Sequence, residues 1–206
     1  MSFLLQTLMA LVAGERGRRC RASYDTILEG TNIILRMPDV GDWEEWTKLR
    51  HLSTSFLIPW EPLWPKDAVT QSFYMRQWRR FVRRWVQDRE YAFLIFRREP
   101  DNMEGGLLGG ITVTDIKRSV YQVGTLGYWM GAPFAGKGVM REAISLILPF
   151  AFEQLGLQRL EATVMPENER SLRLLRGLNF REIGLSKTNM QIEGAWRDQI
   201  LFEKIK

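Results

Sequence analysis

Chemistry in this chain has few places to start from. The richest is the run Gly131-Ala132-Pro133-Phe134-Ala135-Gly136-Lys137-Gly138-Val139-Met140, which passes from a strand through a glycine-rich turn into a helix with apolar residues at Val139, Ala143, Ile144, Ile147, Leu148 and Ala151. Glycines at 136 and 138 let backbone approach a ligand with no Cβ in the way. The first turn of a helix adds N–H groups that no carbonyl takes, at the positive end of its dipole. That combination suits an anion, a pyrophosphate in particular, although a bare strand-to-helix turn has the same composition. It is not a P-loop, because no Ser or Thr follows Lys137, and it is not a dinucleotide fingerprint, because no G-x-G-x-x-G occurs. The single histidine, His51, excludes a histidine-cluster metal site. It lies in a helical stretch far from any nucleophile signature, which argues against a Ser-His-Asp triad.

Several elements must position that turn. Thr26 to Met37 is predicted as a first strand, stopped at Met37-Pro38. Asp39 to Leu52 is predicted as a helix capped by Asp39 or Asp42, with Trp43, Trp46, Leu49 and Arg50 at helical spacing. The proline-studded stretch Ile58 to Pro65 is either a packed Ω-like loop or a substrate-facing wall. From Thr70 to about Arg89 the spacing predicts an amphipathic helix with Tyr74, Trp78, Phe81, Val82 and Trp85 on one side. Arg76, Arg79, Arg80, Arg83 and Arg84 centre on the other, as a solvated face or as a contact for an acidic macromolecule such as rRNA. Three strands follow as a meander, Tyr91 to Arg97, Leu107 to Asp115 and Val123 to Met130. Gly105-Gly106 is expected at the first turn, and Gly109-Gly110 at a bulge or a close backbone approach. Leu157 to Val164 is a further strand, an amphipathic helix runs through Leu178, and two last strands are centred on Thr188 to Ile192 and Gln199 to Ile205.

The 206 residues suit one domain, and 45 % hydrophobic with 26 % charged residues is a globular composition that excludes a disordered or collagen-like chain. A net charge of +5, with 22 arginines among the 29 cations, favours acidic or phosphate-bearing partners. The one cysteine, Cys20, cannot form an internal disulfide, so a reducing, cytoplasmic setting is expected. The apolar run Phe3 to Ala13 is too short to span a bilayer, and its arginines follow it rather than precede it, unlike a secretory signal. A short helix in a 1–25 extension is expected there, ahead of a single domain over 26–206.

Four blocks in order carry a resemblance. They are Gly136-Lys137-Gly138-Val139-Met140 with Glu142-Ala143; Arg159-Leu160-Glu161-Ala162; Pro166-Glu167-Asn168-Glu169-Arg170-Ser171; and Ile192-Glu193-Gly194-Ala195-Trp196-Arg197-Asp198. From about Asn32 onward the chain resembles the GNAT N-acetyltransferase superfamily, and within it the RimJ/RimL group of ribosomal-protein N-terminal acetyltransferases. The resemblance implies an α/β (α+β) acyl-CoA N-acyltransferase fold, with a mixed, mostly antiparallel central sheet splayed at an acetyl-CoA cleft and flanked by helices. It implies acetyl-CoA as co-substrate and no metal. By the same resemblance the main chain of Trp129 and Met130 would hold the pantetheine. Backbone N–H groups from Ala135, Gly136, Lys137, Gly138, Val139 and Met140 would take the pyrophosphate. Asn168 would bond the pantetheine arm, although it equally suits capping the helix from Glu169, and Ser171 would donate to the CoA sulfur.

Departures matter too. The glutamate that serves as base in this group falls at Ile183 here, one residue after Glu182, and an offset of one in a strand turns a side chain to the other face unless a bulge re-aims it. Glu182 is therefore a candidate base, with Glu142, Asp198 or a water chain as substitutes. Leu175 stands where many superfamily members carry a tyrosine acid, and Pro133 removes one N–H from the loop. The implied acceptor is the N-terminal alanine of a ribosomal protein, with rRNA contact through the arginine face and a homodimer among the expected assemblies. A small-amine acetyltransferase, or a non-catalytic ribosome- or RNA-associated protein of the same fold, are the alternatives.

Overall fold

A three-residue turn at Gly30-Thr31-Asn32 divides the expected first strand into a hairpin, β1 (Ile27–Glu29) and β2 (Ile33–Arg36), closed by Gly30 N–H donating to Ile33 C=O at 2.9 Å. The computed structural model describes residues 21–100 and 103–206; the expected helix over Phe3 to Ala13, and Cys20, lie outside the described residues. After β2, Asp39 and Asp42 form a reciprocal capping box over a 3₁₀ turn at Val40–Asp42, and helix α1 (Trp43–Leu52) follows. The proline-studded stretch is shaped by a short helix, α2 (Thr54–Leu57), and a 3₁₀ turn at Ile58–Trp60. Thr70 caps α3 (Gln71–Val86) by accepting from Phe73 N–H.

The strands β3 (Tyr91–Arg98), β4 (Glu104–Lys117) and β5 (Val123–Met130) form the antiparallel meander. Gly105 and Gly106 are strand residues of β4, not a turn: the chain reverses just before Glu104, where Glu99 N–H donates to Met103 C=O. Gly109-Gly110 meets both expectations. Leu108 is the extra residue of a β-bulge, since Ile95 pairs with Gly109 and Phe96 with Leu107. A Cβ on Gly109 would lie 2.5 Å from the Trp129 carbonyl oxygen, and one on Gly110 would collide with the Trp129 indole nitrogen. Helix α4 (Val139–Pro149) widens into a single π turn over Phe150–Gln154 where Pro149 offers no N–H, and leads to β6 (Arg159–Val164). Helix α5 (Glu169–Gly177) precedes a long hairpin, β7 (Arg181–Ile192) and β8 (Ala195–Ile205), longer than the two short strands expected.

The eight strands form one sheet in the order β1-β2-β3-β4-β5-β6-β8-β7. Every pair is antiparallel except β5 with β6, which the crossover through α4 makes parallel. Alternation sends Tyr91, Phe93 and Ile95, and opposite them Ile111 and Val113, to one face under α3 and α4. There Trp85 meets Phe93 edge-on at 5.2 Å between centroids, and Phe93 meets Phe150 at 5.1 Å. Leu172 and Leu175 of α5 join the same core. The other face carries a smaller cluster, Leu94, Phe96 and Leu107, covered by Leu49 of α1. Residues just before Thr26 belong to the packed body: Ala22 is buried and its carbonyl accepts from Trp85 Nε1 at 3.0 Å.

The parallel seam decides where a ligand can enter. Strand β5 pairs with β6 only at Val123, Gly124 and Thr125, opposite Arg159, Leu160 and Glu161. Beyond that point β6 remains paired to β8 and β5 to β4, so the sheet splays. The side of Leu126 to Met130 that faces β6 has no strand partner.

Candidate functional site

The turn before α4 is built so that its amides stay free. Gly136 and Gly138 have φ of 78° and 82°, a left-handed backbone open to glycine at little cost, while nothing lies within 4 Å of a Cβ built on either. Their conformation, not a lack of room, requires glycine. Gly138 occupies the N-cap of α4 and supplies no side-chain oxygen, so the first amides of the helix are uncapped. Gly131 N–H donates to the Leu108 carbonyl of β4, and Phe134 and Ala135 N–H groups are engaged within the loop, whereas those of Gly136, Lys137 and Gly138 have no partner among the described residues. Gly136, Lys137 and Gly138 are exposed, Ala135 and Val139 half-buried, and the Met140 side chain is buried in the core, leaving its amide at the helix start. The result is a concave row of donors at a positive helix end, suited to a phosphate group.

The splayed strand leads from that loop into a cleft. Alternation directs Leu126, Tyr128 and Met130 to the face of α3 and α4, and Gly127 and Trp129 to the face of α1. Asn168 is the N-cap of α5, its side-chain oxygen accepting from Ser171 N–H at 3.2 Å, which leaves its amide nitrogen for a ligand. Ser171 is half-buried in the first turn of α5. The Tyr128 hydroxyl on β5 is buried, and burial pushes its pKa up, an effect that hydrogen bonding with the Ser171 side chain partly offsets. Trp129 and Met130 thus run straight into the 135–140 loop, while Asn168 and Ser171 are held together at the start of α5, with Ser171 beside the Tyr128 side chain of β5.

Glu182 does not join them. It pairs with Arg176 at 2.8 Å, at the far end of α5 from Ser171, and is 44 % exposed. The bulge is real, for Glu182 pairs with Phe202 and Gly184 with Leu201, but the extra residue it leaves is Ile183, which is exposed. The substitutes are occupied as well. Glu142 accepts from Asn32 N–H at 2.8 Å and ties α4 to the β1–β2 turn, and Asp198 accepts from Thr188 N–H at 2.9 Å inside the β7–β8 hairpin.

On the opposite side of β5 lies a cluster that sequence reasoning did not assemble. Arg50 of α1 forms a bidentate pair with Glu61, at 2.8 and 2.6 Å, and Trp64 Nε1 donates to the same carboxylate at 2.8 Å. The guanidinium stacks 4.3 Å from the Trp64 ring centroid and 5.1 Å from that of Trp129. The Glu61 carbonyl accepts from Glu193 N–H at 3.0 Å, so the β7–β8 turn closes against the proline-rich stretch. This stretch is thus packed against α1, β5 and the β7–β8 turn through Glu61 and Trp64. The only signal in the sequence was its aromatic density. Ser53, fully buried, accepts from Ala132 N–H at 2.9 Å and couples the end of α1 to the glycine loop. Among the described residues no group of three His, Cys, Asp or Glu side chains could hold a metal ion, and no helix is long and apolar enough to cross a membrane.

Comparison with known proteins adds to this geometry. The family model of the acetyltransferase (GNAT) domain matches residues 32–181. The chain is 32 % identical over 172 residues to a probable N-acetyltransferase, YjcK, of Bacillus subtilis, covering 84 % of this chain and 93 % of that protein. It is 30 % identical over 171 residues to the [ribosomal protein uS5]-alanine N-acetyltransferase of Escherichia coli, covering 82 % and 85 % of the two chains. Among solved structures, RimJ of Mycobacterium smegmatis in complex with CoA-disulfide superposes with a TM-score of 0.80 at 28 % identity, over 88 % of either chain.

Proposed function

The chain belongs to the GNAT acetyltransferase family, and from that premise we propose that it transfers acetyl from acetyl-CoA directly to the N-terminal α-amine, alanine first, of a ribosomal protein. The observation that carries this reading is the open edge of β5, which runs from the seam at Thr125 to the uncapped loop before α4, with Ser171 beside the Tyr128 side chain. Strand amides and carbonyls at Trp129 and Met130 suit the amide groups of pantetheine, and one such N–H would polarise the thioester carbonyl, an effect worth about 3 kcal/mol. The free amides from Gly136 onward suit its pyrophosphate. The acceptor would then approach from the Trp129 side, along the wall of Arg50, Glu61 and Trp64.

The bond changes are few. The amine nitrogen bonds to the acyl carbon and the carbon–sulfur bond breaks; Ser171 gives its proton to the departing sulfur and is reprotonated, through solvent, by the proton that the nitrogen loses. An α-amine, with a reference pKa near 7.7 to 8.0, is already partly neutral at physiological pH. A dedicated base therefore matters less than it would for a lysine acceptor near 10.4, which agrees with Ile183 at the group's glutamate position. The resemblance of the E. coli relative, whose name gives uS5 alanine as its acceptor, supports the choice of residue.

The test is CoA release with a peptide beginning in alanine, set against spermidine, with the acetylated product located by mass spectrometry. Faster turnover of the peptide, with acetyl on its α-nitrogen, is expected. Preference for spermidine would overturn the acceptor in favour of a small amine, and no turnover of either would overturn the reaction.

A further inference from the structure

Ser53 stands between two helices, at the C-cap of α1 and the N-cap of α2, and it is fully buried. A serine at an N-cap ordinarily turns its hydroxyl oxygen toward the second or third amide of its own helix. Ser53 makes no such bond. Phe56, the third residue of that helix, and Leu57 donate instead to its main-chain carbonyl, both at 3.0 Å. Its hydroxyl oxygen accepts from Ala132 N–H at 2.9 Å, across to the turn that follows β5. Its own N–H donates to the Leu49 carbonyl at 3.0 Å, so helical backbone on both sides fixes where that oxygen points.

The receiving end is just as confined. A Cβ on Gly131 would lie 2.5 Å from Leu49 Cδ1, so α1 presses directly on the residue before Ala132. Pro133 has no N–H, and Phe134 and Ala135 donate to the carbonyls of Gly131 and Ala132 within the turn itself. Among the described residues, the amide of Ala132 is therefore the last to be tied to another element before the free amides of Gly136, Lys137 and Gly138 begin.

We infer that Ser53 is a positioning residue for acetyl-CoA: by holding the Ala132 amide, it sets the direction in which the amides of Gly136, Lys137 and Gly138 meet the pyrophosphate. This role rests on the reading above that the loop takes that group. The backbone between the two points is short and stiff. Ala132–Phe134 is a single 3₁₀ turn closed by Phe134 N–H on Gly131 C=O at 2.9 Å, and Pro133 fixes one torsion inside it at about −65°. A rotation at Ala132 is accordingly passed on toward Gly136. Ser53 itself touches no co-substrate, being shut off from solvent. Replacing it by alanine leaves Ala132 N–H facing an apolar methyl, and the turn recovers an acceptor only by shifting. The amides beyond it, which no hydrogen bond of their own holds back, shift with it.

The test compares two ligands that differ by the pyrophosphate end. Dissociation constants of CoA and of pantetheine are measured for the full chain and for Ser53→Ala, by calorimetry and, for pantetheine, by competition. The full chain is expected to bind CoA much more tightly than pantetheine. Ser53→Ala should weaken CoA about tenfold, the size of one lost buried hydrogen bond, and change pantetheine by less than about twofold. Equal weakening of both ligands would show that Ser53 acts on β5 or on the fold at large, and would overturn the inference. Unchanged CoA affinity would overturn it as well, and a variant that does not fold would assign the hydroxyl a structural role alone with the same result. If the full chain binds pantetheine as tightly as CoA, the loop does not take the pyrophosphate, and that reading falls together with this one. A full chain that favours CoA beside a Ser53→Ala variant with the same preference sinks only the role of Ser53.

Discussion

At the scale of single residues, the site rests on backbone held in place more than on side chains. Gly138 makes the point: its φ of 82° is left-handed and its surroundings are empty, so Gly138→Ala adds strain without a clash. The expected cost is about 1 kcal/mol, relieved by the loop leaving the conformation that aims its amides. The acetyl-CoA KM should therefore rise several-fold with kcat nearly unchanged, and steady-state kinetics at saturating acceptor would show whether it does. Glu182 poses the opposite case. Its ion pair with Arg176 is largely exposed, and such pairs contribute less than about 1 kcal/mol, so Glu182→Gln should leave kcat within about twofold and the melting temperature nearly unchanged. A hundredfold fall in kcat would restore Glu182 as the base. Of the two roles the sequence suggests for Asn168, the cap is the one the structure shows formed.

Elements are specified by local signals of uneven strength. The capping box at Asp39 and Asp42 ties the end of β2 to the start of α1, and Asp42 also takes both terminal nitrogens of Arg36 at 2.8 and 2.6 Å. Asp39→Ala is expected to cost about 1 kcal/mol, read from denaturant unfolding at constant m-value. Helix α3 was legible because Tyr74, Trp78, Val82 and Trp85 recur at three- and four-residue spacing and all four are buried. The β1–β2 hairpin was not, because a turn as short as Gly30-Thr31-Asn32 inside aliphatic residues leaves too little polar sequence to interrupt a strand. Strand β7 escaped for a different reason. Nearly all of it is exposed and two register shifts break its pairing with β8, so the alternation that marks a half-buried strand never develops. Gly105 and Gly106 have turn composition but pair in β4 because the reversal itself is taken by the residues just before them. The cluster of Arg50, Glu61, Trp64 and Trp129 lay beyond reach altogether, since its members meet only once α1, the proline-rich stretch and β5 have packed.

For the whole molecule, the excess of cations does not translate directly into a nucleic-acid surface. Of the five arginines on α3, Arg76 pairs with Asp67, and Arg80 and Arg84 both pair with Glu90, at 3.2 and 2.6 Å. Arg79 and Arg83 carry no ion pair among the described residues and are exposed. If this face meets rRNA, about two phosphates and not five are available to it. The logarithm of affinity against the logarithm of salt should then fall with a slope of about −2, and Arg79→Glu with Arg83→Glu should abolish that dependence. A slope steeper than about −4 would mean that all five arginines release counterions and that the intramolecular pairs open on binding.

The bond from Glu193 N–H to the Glu61 carbonyl has a consequence in time as well as in space. It joins a residue from the first third of the chain to one close to its end, so the packing beside Trp129 cannot be completed until the β7–β8 turn has left the translating ribosome. The glycine loop and α4 emerge some fifty residues of synthesis sooner, by their positions in the chain. A nascent chain of this protein would therefore acquire its glycine loop and α4 before the stretch beside Trp129 closes. Competence for transfer would arrive only with the last hairpin.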